Sequence, residues 1–265
     1  MDILQIIVLA LVQGLTEILP VSSSAHLVLV PVFTGWRDQG LSFDVALHVG
    51  TVMAVILYFR KDLFTMATAW LRSVTGGGNS QEAQLAWGVI LGTIPAGAAG
   101  LLLGGMVETH LRSPFFVAFT LIGFALLLWF ADIRGKRQRE VSSIGISDAV
   151  MIGMAQALAL MPGVSRSGVT MTAGLALGLT RVAAARFSFL LSVPVILAAG
   201  SLETVHLVRS EEAVEWAPLF WGALLAGITT YACVHLLLKL LNRVGMWPFV
   251  LYRLVLGTGL LILFW

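Results

Sequence analysis

Charge is what this sequence has least of. Only 11% of its 265 residues are charged, against about a quarter in a soluble domain. Too few polar groups remain to cover a water-facing surface, so the surrounding solvent must largely be lipid. Cysteine is nearly absent as well. The lone Cys233 excludes an internal disulfide and a CxxC metal or redox site. It lies in the apolar run 231–238 and reads as a packing residue. No basic face with interleaved aromatics is present, so a nucleic-acid partner is not expected. The first residues also lack the basic segment of a signal peptide. Met1-Asp2-Ile3 opens the chain, and Gln13, Thr16 and Glu17 interrupt the apolar stretch that follows. Residues 1–20 are therefore expected to belong to the mature fold.

What the sequence does have is long apolar runs. Six read as complete spans, at about 42–60, 83–105, 114–131, 184–206, 217–239 and 247–265. Each approaches the roughly 20 residues that carry a helix across about 30 Å of hydrocarbon. Two further regions, 3–36 and 147–180, are apolar but interrupted. Their breaks are Leu19-Pro20-Val21-Ser22-Ser23-Ser24 and Met161-Pro162-Gly163-Val164-Ser165-Arg166-Ser167. Proline removes a helical hydrogen bond and serine competes for one. The pieces on either side are too short to span. A helical hairpin that enters and leaves on one side satisfies their backbone instead.

The two interrupted regions match each other at a constant separation of 143 residues. Gln13, Leu15, Val21, Ser22 and Ser24 fall on Gln156, Leu158, Val164, Ser165 and Ser167, while Ser23 falls on Arg166. Each half then reads as one hairpin followed by three spans. Three is odd, so the second half must be inverted relative to the first, a known membrane architecture. The expected fold is an all-α polytopic membrane protein with an inverted-topology repeat, six transmembrane helices and two re-entrant hairpins. It forms one membrane domain, with halves 1–131 and 147–265 joined by a linker at 132–146. One side collects Arg60, Lys61, Arg72, Arg134, Lys136, Arg137, Arg139, Arg181, Arg186, Lys239 and Arg243. The other collects Arg37, Arg112 and Arg209. The positive-inside rule makes the first side cytoplasmic. Both termini and the mouth of the first hairpin are then expected outside, and the second hairpin opens from the cytoplasm. The loops 73–81 and 132–143 read as polar connectors without chemistry.

Glu17 and Arg166 are the most informative residues, because each sits inside an apolar region. A charge at the centre of a membrane helix costs roughly 2.5–3.5 kcal/mol on insertion scales. Their plainest role is an ion pair tying the hairpins together. The polar groups around them point further. Ser22, Ser23 and Ser24 begin one helical piece, and Ser165, Arg166 and Ser167 begin another. Serine at such a start caps free N–H groups, and the same N–H groups form an anion site. A guanidinium grips two phosphate oxygens at once. Together with Gly163 and Thr170 these residues suit a phosphate or pyrophosphate. His26 lies three residues after Ser23, on the same helical side. A hydroxyl, an imidazole and a carboxylate at one anion site can do nucleophilic and acid–base work. Gln13 precedes Glu17 by one turn, and the pair could hold a hard divalent cation with substrate phosphates. His48, His110, His206 and His235 read as packing residues. Asp44 and Glu203 fall near span ends. Arg253 is deeper, beside Tyr252, in reach of either Glu17 or the phosphate.

The motif Gln13-Gly14-Leu15-Thr16-Glu17, followed by Leu19-Pro20-Val21-Ser22-Ser23-Ser24-Ala25-His26, resembles the first signature of the undecaprenyl-pyrophosphate phosphatases, also called bacitracin-resistance proteins. Pro162-Gly163-Val164-Ser165-Arg166-Ser167-Gly168-Val169-Thr170 resembles the second. The likeness extends through 187–191 and Tyr252-Arg253. It implies a bacterial inner-membrane enzyme that removes the terminal phosphate of undecaprenyl diphosphate and so recycles the lipid carrier of peptidoglycan synthesis. A polyprenyl diphosphate is the implied substrate, in contact with membrane lipid, with Mg²⁺ or Ca²⁺ as cofactor and a homodimer left open as the assembly. By resemblance Ser23, His26, Glu17 and Arg166 are catalytic. Ser22, Ser24, Gly163, Ser165, Ser167, Thr170 and Arg253 are expected to bind substrate, and Glu17 and Gln13 to hold the metal. Gln13 stands where the family has the first of two paired carboxylates. The nucleophile stays open among Ser23, His26 and water. A transporter or flippase for a phosphate-bearing lipid or anion is the competing reading, because inverted repeats with broken helices also build carriers. The SRxxxxxHxxxD pattern of the other lipid phosphatases is absent, since no histidine follows Arg166 at that spacing.

Overall fold

The computed structural model describes residues 1–111, 113–209 and 215–264. Arg112 lies outside the described residues, as do the side chains of His110, Glu203, His206 and Arg209. Six helices are long and apolar enough to cross a membrane. They are α3 (Leu41–Tyr58), α5 (Gln81–His110), α6 (Pro114–Arg134), α9 (Arg181–Arg209), α10 (Trp216–Val244) and α11 (Trp247–Phe264). Each coincides with one of the six expected runs. The interrupted regions are two pairs of short helices, α1 (Ile3–Thr16) with α2 (Ser23–Thr34), and α7 (Ile146–Ala157) with α8 (Arg166–Ala176).

The distribution of side chains is that of a membrane protein. Leu101, Leu102 and Ile262 are among many large apolar residues on the outer surface, while Gln13, Glu17, Ser167, Thr170, Ser188, Ser192, Thr230 and Arg253 are buried. Polar groups inside and apolar groups outside are what a lipid solvent selects.

One helix was not legible as an element. α4 (Arg60–Val74) lies between the first two spans and buries only Met66. It carries Arg60, Lys61, Asp62 and Arg72 on a short amphipathic segment, so it has neither the length nor the apolarity of a span. It belongs to the basic end of the molecule. There Arg186 pairs with Asp62 at 3.0 Å, and Arg181 grips Asp132 through two bonds of 2.6 and 2.9 Å. The linker 132–146 is less plain than expected: Arg139 binds both Asp148 and the carbonyls of Ser143 and Leu177.

Each hairpin packs on the other half. α1 lies along α10 and α7 lies along α5, the reciprocal pair under the 143-residue correspondence. Both contacts rest on glycine. A Cβ at Gly14 would stand 2.7 Å from the Ala226 carbonyl, and one at Gly153 only 2.1 Å from the Gly92 carbonyl. Backbones this close gain van der Waals contact that lipid cannot supply.

Candidate active site

The two breaks adopt matching backbones. Ser22 (φ 75°) and Ser165 (φ 71°) occupy equivalent positions, and among the described non-glycine residues only Arg137 shares a positive φ. In both, the side chain turns to the serine two residues on, with Oγ–Oγ distances of 3.3 Å for Ser22–Ser24 and for Ser165–Ser167. The caps differ. Ser165 Oγ accepts from the Gly168 N–H at 3.1 Å, as expected. Ser22 makes no such bond, so the first turn of α2 has no side-chain cap from it.

The breaks meet at one carboxylate. Glu17 follows the last turn of α1 and is buried. Its Oε1 accepts from Arg166 Nη2 at 2.8 Å. Its Oε2 accepts from Ser23 Oγ at 2.6 Å and from Gln13 Nε2 at 3.1 Å. Ser23 begins α2 and Arg166 begins α8, so the two hairpins supply one partner each. A second bond crosses between them, from Ser167 Oγ to the Leu19 carbonyl at 3.0 Å. Arg166 is fixed from the far side as well. Its Nη1 donates to the Ser188 carbonyl at 3.0 Å, and Thr170 joins Ser188 Oγ at 2.7 Å. A guanidinium has five N–H groups. Three remain free of these two bonds and can hold phosphate oxygens.

The other expected residues stand further out. His26 does not meet Glu17. Its Nδ1 bonds the Ser22 carbonyl at 2.7 Å and its Nε2 the Tyr252 hydroxyl at 2.5 Å, with the two rings stacked. A carbonyl only accepts, so Nδ1 carries the proton and Nε2 accepts from the tyrosine. Arg253, placed by the sequence near Glu17 or the phosphate, is instead committed to the main chain. It is fully buried and donates to the carbonyls of Leu121, Pro20, Thr120 and Gly163. Pro20 and Gly163 are in the two breaks, so this one side chain ties both loops together. Gly163 (φ 89°) allows the turn, and a Cβ there would collide with Thr120 Oγ1 at 2.2 Å.

His48 is the residue the sequence reading passed over. A lone histidine in an apolar span looks like packing, and the break that faces it is 24 or more residues away in the chain. In the fold its Nε2 lies 3.4 Å from Glu17 Oε2, and its Nδ1 bonds the Asp44 carbonyl at 2.7 Å. Together with Ser24, Asp38, Gln39, Asp44 and Pro162 it lines a cavity of about 460 Å³.

A divalent cation is implied by the resemblance, and the donor chemistry can be tested against it. Among the described residues no cluster of three or more His, Cys, Asp or Glu side chains forms a complete protein cage. Gln13 Oε1, however, is buried without a hydrogen-bond partner beside Glu17. A carboxylate and a free amide oxygen fit an ion that takes its remaining ligands from substrate phosphates.

The family model described as Bacitracin resistance protein BacA matches residues 6–259. The chain belongs to this family. Relatives cover the chain from end to end. A protein named Undecaprenyl-diphosphatase 2 from Stutzerimonas stutzeri (strain A1501) is 57% identical over 100% of this chain and 99% of its own. Undecaprenyl-diphosphatases from Thioalkalivibrio sulfidiphilus (strain HL-EbGR7) and Nitrosococcus oceani are 58% and 54% identical, each over 100% of both chains. The BacA match spans both hairpins, so Glu17, Ser23 and Arg166 all lie inside it.

Proposed function

We propose that this membrane protein hydrolyses undecaprenyl diphosphate to undecaprenyl phosphate and inorganic phosphate, as its relatives' names describe. The observation that carries the reading is the single carboxylate shared by Ser23 and Arg166. It sets a hydroxyl and a base at 2.6 Å beside a guanidinium with free donors, the equipment of phosphoryl transfer.

In the proposed reaction Arg166 and the first-turn N–H groups of α2 hold the terminal phosphate. Ser23 Oγ attacks its phosphorus in line while Glu17 Oε2 takes the hydroxyl proton. The bond from that phosphorus to the bridging oxygen breaks, releasing undecaprenyl phosphate and leaving a phosphoserine. Water then attacks the phosphoserine phosphorus, the P–Oγ bond breaks, the water oxygen and its two protons leave with the phosphate, and the proton held by Glu17 returns to Ser23 Oγ. The 2.6 Å bond favours Ser23 over His26 as nucleophile, because His26 is held between Ser22 and Tyr252. Glu17 and Gln13 would hold a Mg²⁺ or Ca²⁺, which when bound neutralises charge developing on the phosphate oxygens.

The basic ends of α4, α6 and α10 favour a cytoplasmic face, and the proposed topology has both termini and the first hairpin's mouth on the periplasmic side of the bacterial inner membrane. The matched backbones at Ser22 and Ser165 support two related halves, 1–131 and 147–265. The test is phosphate release from undecaprenyl diphosphate by the purified protein in detergent. Release that EDTA abolishes is expected. A lipid or anion carrier releases none, and absence of release with Mg²⁺ or Ca²⁺ present would refute the reading.

A further inference from the structure

His48 Nε2 faces Glu17 Oε2 at 3.4 Å, a contact that apolar packing does not explain and that either an imidazolium–carboxylate pair or a shared cation does. Its Nδ1 faces the Asp44 carbonyl at 2.7 Å, and a carbonyl can only accept, so the ring proton sits there. In neutral imidazole this leaves Nε2 with a bare lone pair. That lone pair faces Glu17 Oε2, itself an acceptor, at 3.4 Å. Metal-bound histidine has this arrangement: one nitrogen donates to a backbone carbonyl or carboxylate and the other points at the ion.

Gln13 has the complementary oddity. Its Nε2 is 3.1 Å from the same Glu17 oxygen, while its Oε1 is buried and unpartnered. Turning the amide over places Oε1 where Nε2 now lies. The turned Gln13 Oε1 and His48 Nε2 then both stand beside Glu17 Oε2, at 3.1 and 3.4 Å. Donors that sit about 2.0–2.2 Å from a common ion are roughly 3.0–3.5 Å from one another at tetrahedral or octahedral angles. The separations of 3.1 and 3.4 Å fall within that range. Glu17 Oε1 stays with Arg166, so the ion shares Oε2 with the Ser23 hydroxyl, on the oxygen opposite the guanidinium.

We propose that His48 Nε2 is a ligand, with Glu17 Oε2 and Gln13 Oε1, of the divalent cation in this site. An imidazole in the donor set shifts preference from Ca²⁺ toward Mn²⁺ or another borderline ion, because nitrogen ligands suit transition metals and Ca²⁺ is bound by oxygen. The cavity beyond His48 supplies room for the open coordination positions that a diphosphate would fill. The inference rests on reading this site as a diphosphatase centre, but its test reads no turnover.

The test is Mn²⁺ binding to the purified protein in detergent, followed by electron spin-echo envelope modulation. The expected result is a bound Mn²⁺ whose echo carries modulation from a directly coordinated ¹⁴N. His48→Ala should remove the modulation and weaken Mn²⁺ binding by about tenfold or more. His48→Gln, which keeps a side chain of similar reach and an oxygen donor, should remove the modulation and retain binding. His26→Ala should keep it. Mn²⁺ bound without ¹⁴N modulation, modulation that survives His48→Gln, modulation lost in His26→Ala, or no bound Mn²⁺ would each overturn the proposal. A protein that binds Mn²⁺ through His48 yet releases no phosphate would refute the diphosphatase reading alone.

Discussion

Ser23 and Arg166, aligned residues of the two hairpins, bind opposite oxygens of the Glu17 carboxylate, at 2.6 and 2.8 Å. The two aligned positions thus bring different chemistry to one place. One hairpin presents a hydroxyl and the other a cation, and the carboxylate that joins them can serve as the base between them. A buried carboxylate beside a guanidinium is also a structural tie, and breaking it by removing one partner costs roughly 3–5 kcal/mol.

Substitution at Arg166 separates the tie from the chemistry. Arg166→Lys keeps a positive charge but loses the planar fork that binds phosphate bidentately. It should fold with a thermal midpoint near wild type and lose about 10²–10³ in kcat/KM, the range for removal of one transition-state donor. Arg166→Ala should lose more activity and also stability. Phosphate-release kinetics beside thermal unfolding in detergent distinguish the two. A fully active Arg166→Ala would remove Arg166 from the site.

Arg253 behaves oppositely. Its four carbonyl partners would each lose a buried donor, and those of Pro20 and Gly163, outside the helices, would be left unsatisfied at about 1–3 kcal/mol each. Arg253→Ala should therefore lower yield and the thermal midpoint sharply. Whatever folds should have a displaced Pro20 or Gly163 loop and low activity as a consequence. A variant with native stability and raised KM would instead place Arg253 on the substrate.

The matched serines should respond differently. Both Ser22 and Ser165 hold a left-handed backbone that costs an L residue roughly 1–2 kcal/mol. Ser22→Gly relieves that strain and removes no cap, so its thermal midpoint should rise or stay level. Ser165→Ala keeps the strain and loses the bond to the Gly168 N–H, at about 1 kcal/mol. Its midpoint should fall. Thermal unfolding of the pair checks both signs.

The fold was legible because lipid leaves strong marks on sequence. Spans need long apolar runs, and the broken segments stood out through Pro20, Pro162 and the charges Glu17 and Arg166. Ser23, Gln13 and Glu17 were readable as a cluster because they lie within 11 residues of one another. α4 was not legible, since a short amphipathic helix on the basic side carries no span-length pattern. The contacts of His48 and Arg253 were not legible for a different reason. Their roles depend on which atoms of distant segments they face: Glu17 for one, and the carbonyls of both breaks for the other. Nothing in local composition records that. Tyr252 was noted only as a neighbour of Arg253, and its bond to His26 also needed the fold.

The most direct measurement of the central claim is the site of phosphate transfer. The protein is incubated with undecaprenyl diphosphate labelled in its terminal phosphate, quenched during turnover and mapped by peptide sequencing. The account predicts label on Ser23, lost in Ser23→Ala together with phosphate release. Label on His26, or Ser23→Ala that releases phosphate at the wild-type rate, would contradict it.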